Sequence, residues 1–261
     1  MVFDCHAHIY PEKIAPKVVV NIGDFYKIPM SCDGTVEGLL SSGRRGGIDK
    51  FIVFSAAGTP AQVESINNYI SAVCGEHPEF IGFGSLHRDM KNPGDEIARL
   101  AGLGLRGIKF HPDMQQFNID DKPMMDIYAM LEGRFPVVFH TGDYRYDFSH
   151  PRRLARVLDN FPRLIAVAAH FGGWSLYDLA LEYFRDRFCY LDVSSAIPYL
   201  GNKRAEELIN IYGPDRILFG SDYPMWDPAE ELRRFESLKL PAGDKDMILY
   251  KNARRLLGLE A

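Results

Sequence analysis

The chain has 261 residues, of which 46% are hydrophobic and 25% charged, and its formal net charge is −5. This composition is ordinary for a globular protein, and the length suits one domain with a sizeable core, which we expect to span 1–261. The negative charge and the lack of a basic tract argue against a nucleic-acid partner, and no run approaches the roughly 18 apolar residues that span a membrane.

The four cysteines lie far apart and form no CxxC pair. Neither a thiolate zinc site nor a disulfide framework is therefore expected, and reduced thiols are the simplest interpretation. The first residues carry neither a basic segment nor a long apolar run, so we expect a cytoplasmic protein.

Short apolar segments alternate with longer amphipathic ones along the whole chain. The apolar segments are rich in Val, Ile, Phe and Leu, which is typical of strands buried on both faces. They predict strands at 2–9, 50–56, 80–86, 105–111, 136–142, 164–172, 188–195 and 216–222. Apolar residues at helical spacing, with Pro and Gly at the ends, predict helices at 60–78, 150–162, 175–187, 202–213, 227–239 and 245–259.

Eight strands that alternate with helices predict an α/β fold. Strand–helix–strand units pair their strands in parallel, and eight units in this length close into a (β/α)8 TIM barrel. A doubly wound open sheet is the alternative, but no Gly-rich phosphate turn follows the first strand. The segment 10–47 is long for a first connection, so we expect an insertion over the barrel mouth, and 245–259 is an extra C-terminal helix.

Metal-capable side chains recur at the predicted strand ends, where the active sites of such barrels lie. His6 and His8 are two apart on the first strand, so both imidazoles point to the same face. The later strand ends add further candidates, namely His140, His170 and Asp222. Imidazoles with a carboxylate suit Zn²⁺, or else Mn²⁺, Fe²⁺ or Co²⁺, so we predict a divalent metal site, most simply zinc.

Six motifs in chain order resemble the amidohydrolase superfamily, in particular its amidohydrolase 2 branch. They are FDCHAH (3–8), GIKFHP (107–112), FHTG (139–142), AHFGG (169–173), LFGSDYP (218–224) and NARRLLGL (252–259). The resemblance implies a metal held by His6, His8, His140 and Asp222. It further implies that His170 acts on the substrate or binds a second metal.

Lys109 leaves two arrangements open. Some amidohydrolases carboxylate a lysine on the fourth strand to bridge two metals, whereas a single metal is usual in the branch this sequence resembles. We favour one ion over two, with Lys109 meeting an anionic substrate group. His111 shares a strand face with Lys109 and is a second candidate for substrate binding. Arg145, in the loop after His140, is a third, because it could clamp a carboxylate or else lie in solvent.

The leading functional prediction is a hydrolase that attacks a carbonyl of a small-molecule amide, lactone or ester with an activated water. Asp222 is the predicted general base, and His170 would donate a hydrogen bond to the developing oxyanion.

Three alternatives remain open. A non-oxidative decarboxylase of an aromatic or unsaturated acid would use the same ligands, so the ligands do not discriminate. A metal-free lactonase and a non-catalytic metal-binding protein are less favoured. Helix 245–259 carries many apolar residues and could dock on the barrel or on a second subunit in a homodimer.

Overall fold

The computed structural model describes residues 1–259 and has eight strands within them. In chain order these are β1 (Phe3–His8), β2 (Lys50–Phe54), β3 (Phe80–Ser85), β4 (Gly107–Phe110), β5 (Val137–Phe139), β6 (Ala166–Ala168), β7 (Tyr190–Asp192) and β8 (Ile217–Leu218). All eight predicted strands are therefore confirmed, each shorter than the apolar segment that predicted it.

Each strand pairs in parallel with the next, in the order β1 to β8. The chain beyond β8 then runs along β1, where Cys5 N donates to Phe219 O at 2.9 Å and Asp222 N donates to His6 O at 2.8 Å. These hydrogen bonds join the last strand to the first. The predicted (β/α)8 barrel is thus confirmed, and the carboxyl ends of its strands meet at one rim.

Helices lie between the strands and after the last one. They are α1 (Ala15–Tyr26), α2 (Val36–Gly46), α3 (Val63–Glu76), α4 (Pro93–Gly102), α5 (Pro112–Gln115), α6 (Lys122–Leu131), α7 (Pro151–Asn160), α8 (Tyr177–Phe184), α9 (Ile197–Tyr212), α10 (Pro228–Glu236), α11 (Ala242–Asp246) and α12 (Asn252–Leu256). The sequence analysis named no helix at α4, α5 or α6. Every helix in the described chain is too short or too polar to cross a bilayer.

Two of the predicted helices differ in form. The predicted helix 245–259 is three pieces, because a π-helical turn (Met247–Lys251) separates α11 from α12. Helix α9 begins five residues before the predicted start and is broken at Gly201, whose φ of 70° is left-handed. Glycine adopts that conformation at little cost, which explains why the predicted helix begins only after it.

The long first connection contains α1 and α2. Helix α1 reaches the barrel rim, where the Tyr26 hydroxyl lies 2.7 Å from His111 Nε2. The ring of Tyr26 also packs edge-to-face on Trp174, with 5.2 Å between centroids. The insertion therefore covers part of the barrel mouth, as the sequence predicted.

Asn252 anchors the C-terminal helices to the base of β8. Its fully buried side chain donates to Pro214 O and to Ile217 O, both at 2.7 Å. This one amide therefore ties two backbone carbonyls together, although Pro214 O also accepts from Ile217 N.

We predict that Asn252→Ala lowers the free energy of unfolding by about 1–3 kcal/mol, because it removes two hydrogen bonds of a fully buried side chain. Urea denaturation measures the change. Asn202→Ala is the control, because exposed Asn202 makes one side-chain hydrogen bond, to Ser237, and we expect a change within about 0.5 kcal/mol. Equal losses in the two variants would contradict this role of Asn252.

Glu231 on α10 is a buried carboxyl that makes stability depend on pH. Burial raises its pKa to about 8, although Arg234 lies 3.0 Å away, and its Oε1 has no hydrogen bond of ordinary geometry. An acid whose pKa is higher in the folded state holds its proton more tightly there. Its contribution to stability is therefore complete below pH about 4.5 and is lost as the pH rises towards 8.

We predict that Glu231→Gln is less sensitive to alkali than the wild type. Between pH 5 and 8.5 the wild type should lose about 1–3 kcal/mol more unfolding free energy than the variant, the cost of an unsatisfied buried polar group. Denaturant titrations at both pH values test this, with Glu230→Gln as the exposed control. A parallel loss in wild type and Glu231→Gln would rule out Glu231 as the cause.

Candidate metal centre and active site

His6 is the most firmly positioned side chain at the rim. It is fully buried on β1, and its Nδ1 lies 2.9 Å from Asp192 Oδ2 at the end of β7. A carboxylate accepts hydrogen bonds, so the proton of the neutral imidazole sits on Nδ1 and Nε2 keeps its lone pair. A histidine held in one tautomer by a carboxylate is the usual arrangement of a metal ligand.

The other nitrogen of His6 faces Asp222 and His8, and it also accepts a hydrogen bond from Lys109 Nζ at 3.1 Å. His6 Nε2 lies 3.4 Å from Asp222 Oδ1, and His8 Nε2 lies 3.8 Å from the same oxygen. One ligand atom from each of these residues falls within 4.8 Å of the other two. Burial lowers the pKa of both histidines well below the usual value, so both are neutral, as metal ligands must be.

Asp222 is held so that only one oxygen faces the histidines. Ser195 Oγ donates to Asp222 Oδ2 at 2.5 Å, and Trp226 Nε1 donates to Ser195 Oγ at 2.9 Å. Burial raises the pKa of Asp222 to about 7, against the lowering effects of the Ser195 hydrogen bond and the Lys109 charge. This carboxyl can therefore both accept a proton and contact a cation.

Three of these rim residues have a strained backbone. The φ angles of His170, Ser195 and Asp222 are 60°, 50° and 63°, in the left-handed region that costs a residue with a Cβ about 1–3 kcal/mol. Gly220 lies two residues before Asp222 and passes close to β1. A Cβ added at Gly220 would lie 2.8 Å from His6 Cβ, so only glycine fits there. Strain of this kind clusters at functional sites, where it aims side chains that a relaxed strand would point elsewhere.

His170 and His140 form a hydrogen-bonded chain with a defined direction. His170 Nδ1 lies 3.0 Å from Ser194 O, which can only accept, so Nδ1 carries the proton and His170 Nε2 is an acceptor. His140 Nδ1 lies 3.1 Å from that Nε2 and must donate to it. The Nε2 of a neutral His140 therefore keeps its lone pair, and that atom has no hydrogen-bond partner.

The free nitrogen of His140 faces Asp113 rather than His6 and His8. His140 Nε2 lies 3.6 Å from Asp113 Oδ2, and ligand atoms of His111, Asp113 and His140 form a separate group within 4.8 Å. Neither carboxylate oxygen of Asp113 has a hydrogen bond of ordinary geometry. Burial raises the pKa of Asp113 to about 7, and nearby Ser149 offsets this only in part.

The residues at the rim therefore fit a divalent metal. The neutral imidazole nitrogens of His6 and His8 converge on Asp222 Oδ1. In the neighbouring group, His140 Nε2 and both carboxylate oxygens of Asp113 have no hydrogen-bond partner of the kind that a cation would supply. The structure brings together three of the five predicted ligands, His6, His8 and Asp222. It places His140 and His170 beside this group without joining them to it.

Lys109 contacts the metal-capable group directly and does not line the cavity. It is fully buried, with Nζ 3.1 Å from His6 Nε2 and 4.9 Å from the centre of the Phe54 ring. Burial lowers its pKa to about 8, against the raising effects of Asp192 and Asp222. A lysine with a depressed pKa is the form that carboxylation requires, but Lys109 has no direct access to a substrate in the cavity.

A cavity of about 590 Å³ opens above the group, a size that suits small-molecule sites. Its inner end is polar, and its walls come mainly from α1, the start of α3 and the loops after the strands. The polar lining residues at the inner end are His8, His111, Asp113, His140 and Asp222.

Arg145 is engaged away from this cavity. Its guanidinium bonds both oxygens of buried Asp143, at 2.6 Å from Nη2 to Oδ2 and 2.9 Å from Nε to Oδ1, and it also donates to Phe25 O. It lies over the rings of Phe25 and Tyr26, 4.8 and 5.4 Å from their centres. Arg145 thus joins the loop after β5 to the end of α1, and its role as a carboxylate clamp stays a prediction that this packing does not favour.

Several residues that shape the site were not found from the sequence. They are Tyr26, Asp113, Asp192, Ser194 and Ser195. Asp192 offered a signal, because a carboxylate inside an apolar strand is rarely buried without a partner. Tyr26 offered none, because its place depends on how the insertion folds back over the rim.

Histidines and carboxylates at the carboxyl-end rim of a (β/α)8 barrel define a class of metal-dependent enzymes. A model of the amidohydrolase family matches residues 3–259, nearly the whole chain. The chain therefore belongs to the amidohydrolase family, and the resemblance seen in the sequence is confirmed.

Solved structures share the fold at low sequence identity. An uncharacterised TIM-barrel protein from Bordetella bronchiseptica is 22% identical, with 98% of each chain covered and a TM-score of 0.81. A 2,6-dihydroxybenzoate decarboxylase from Rhizobium is 18% identical, with 100% of this chain and 99% of that chain covered and a TM-score of 0.75. A dihydroxybenzoic acid decarboxylase from Polaromonas, with bound manganese and 2-nitroresorcinol, is 16% identical, with 100% and 98% covered and a TM-score of 0.75.

We predict that Asp192→Asn weakens metal binding by 10- to 100-fold, because an amide does not hold the His6 tautomer with a negative charge. Competition for Zn²⁺ with a chromophoric chelator measures the affinity. Asp186→Asn, at an exposed position, is the control and should bind as the wild type does. An unchanged affinity in Asp192→Asn would show that His6 needs no orienting carboxylate.

Proposed function

We propose that this protein is a metal-dependent hydrolase that attacks the carbonyl of a neutral small-molecule amide, lactone or ester with an activated water. The observation that carries the proposal is the group formed by His6, His8 and Asp222 at the polar end of the cavity. A divalent ion held by these residues would lower the pKa of a water and polarise a carbonyl.

Asp222 is the proposed general base. Its Oδ2 is fixed by Ser195, whereas its Oδ1 faces His6 and His8 and the residue lines the cavity. A carboxyl in this position can take the proton of the attacking water and pass it to the leaving group. The hydrogen bonds from Trp226 to Ser195 and from Ser195 to Asp222 keep the accepting oxygen in place during the transfer.

Tyr26 is better placed than His170 to donate to a developing oxyanion. The ring nitrogens of His170 are both engaged, with Ser194 O and with His140, and His170 does not line the cavity. Tyr26 does line it. Met114 N donates to His111 Nδ1 over 3.4 Å, so His111 Nε2 carries the proton and donates to Tyr26. The Tyr26 hydroxyl hydrogen is then available to a substrate.

A decarboxylase of an aromatic or unsaturated acid is the second candidate, and the dihydroxybenzoate decarboxylases with the same fold favour it. Such a substrate carries a carboxylate, which a basic side chain would help to bind. No lysine or arginine among the described residues lines the cavity, whereas Asp113 and Asp222 do. The positive charge that meets a substrate carboxylate would therefore have to come from the ion beside Asp222, so the lining itself does not separate the two candidates.

Zinc as the ion, with one ion favoured over two, remains part of the proposal, as do a place in the cytoplasm and a homodimer. Two ions per chain together with a carbamate on Lys109 would overturn the single-ion proposal. The fully buried Nζ beside His6 makes Lys109 the position at which to look for that carbamate.

We predict that Asp222→Asn lowers turnover by 10² to 10⁴-fold, the usual contribution of a positioned general base, while the protein still binds metal through the histidines. Hydrolysis of a panel of nitrophenyl esters, lactones and anilides measures turnover, and metal analysis of the same sample supplies the control. Full activity in Asp222→Asn would exclude the base assignment. Release of CO₂ from hydroxybenzoates by the wild type, without hydrolysis of any panel member, would favour the decarboxylase.

A further inference from the structure

One face of α1 forms an apolar wall of the cavity. The four apolar residues that line it are spaced by four, four and three positions, so they share a single helix face. They are Ile14, Val18, Ile22 and Phe25. All four are partly exposed, because they face the cavity rather than the protein core. At 1.5 Å per residue, the stripe is about 16 Å long.

The start of α3 supplies a second part of the lining, from residues three or four positions apart on one helix face. Ile66 and Tyr69 line the cavity there, together with the uncharged Gln62 and Ser65. Three methionines, Met30, Met114 and Met225, complete the lining between the walls. Methionine is unbranched and polarisable, so it adapts to chains of differing shape. We name the part of the cavity lined by these residues the channel. Its lining is mainly apolar, although Asn21 also contributes to it, and it adjoins the polar end of the same cavity.

The channel offers no positive charge to an anionic ligand. The guanidinium of Arg145 is paired with Asp143, and the Lys109 ammonium contacts His6 Nε2 and does not line the cavity. The carboxyl groups that line the cavity, Asp113 and Asp222, both lie at its polar end. A carboxylate in the channel would lose its hydration with no cation in the lining to compensate it.

We infer that the substrate of the proposed hydrolase carries an extended, neutral apolar acyl group. The chain lies between α1 and α3, and the reacting carbonyl lies at the polar end beside His8 and Asp222. A single-ring acid would leave most of the 590 Å³ cavity unfilled. The inference rests on the proposed function for the position of the carbonyl, and on the channel walls for the nature of the acyl group.

Hydroxamates test the inference without knowledge of the natural substrate, because they bind metal centres through one end and present a chosen chain at the other. We would titrate zinc-loaded protein calorimetrically with acetohydroxamate, octanohydroxamate and suberic acid monohydroxamate. Octanohydroxamate should bind at least tenfold more tightly than either of the others, because burial of each methylene is favourable and burial of the terminal carboxylate is not. Equal affinities, or preference for the acidic probe, would overturn the inference.

Val18→Lys tests where the chain lies. This variant puts a positive charge on the channel wall. It should therefore weaken the binding of octanohydroxamate and strengthen the binding of suberic acid monohydroxamate, so that the ratio of the two dissociation constants falls or reverses. Val20→Lys is the matched control, because Val20 is 62% exposed and does not line the cavity. The same response in both variants would place the chain elsewhere.

A second pair of probes separates this inference from the proposed function. Octanamide and suberamic acid bind no metal strongly, so both can be titrated into metal-free protein by ligand-observed NMR. Tighter binding of octanamide than of suberamic acid would support an apolar acyl site in the channel. This holds even if zinc analysis or acetohydroxamate binding disproved the metal centre. If octanamide does not bind, the inference is contradicted, and the proposed metal centre is not affected. A second copy of the chain that fills the channel in a dimer would give this result.

Discussion

The buried carboxylate of Asp192 is the constraint on which the rest of the rim depends. One oxygen fixes His6 through Nδ1, and the other accepts from His170 N at 3.0 Å and from Ser194 N at 3.1 Å. Three strands, β1, β6 and β7, are thereby held in one relative position. Since the proton of His6 lies on the side of Asp192, its other nitrogen presents a lone pair, which Lys109 Nζ contacts at 3.1 Å and which an ion would take in its place. The tautomers of His170 and His140 follow from the same cluster.

The insertion after β1 turns this rim into a binding site. Helix α1 brings Tyr26 to His111 and an apolar stripe to the cavity, while Arg145 holds the end of the helix through Phe25 O. The barrel strands therefore carry the metal-capable side chains, and the insertion carries much of the surface that would recognise a substrate. This division is common in barrels of this kind, where loops on a constant scaffold set specificity.

Much of the fold could be predicted because strand burial leaves a strong pattern. Segments such as 50–56 and 136–142 read as strands since parallel strands are covered on both faces. His6 and His8 could be placed together because residues two apart share a strand face. The position of His140 could not be predicted in detail, since its two nitrogens face different partners and only the fold decides which. Tyr26 and Asp113 were missed because their contacts depend on how the connections after β1 and β4 fold over the rim, which no sequence period records.

The central claim is that His6, His8 and Asp222 bind a divalent ion on which activity depends. Metal analysis of protein purified without chelator tests it most directly, when wild type is compared with a His6→Ala, His8→Ala double variant. The account predicts about one divalent ion per wild-type chain, and loss of both ion and activity in the double variant. Wild-type protein that is active without bound metal, or a double variant that keeps its full metal content, would contradict it.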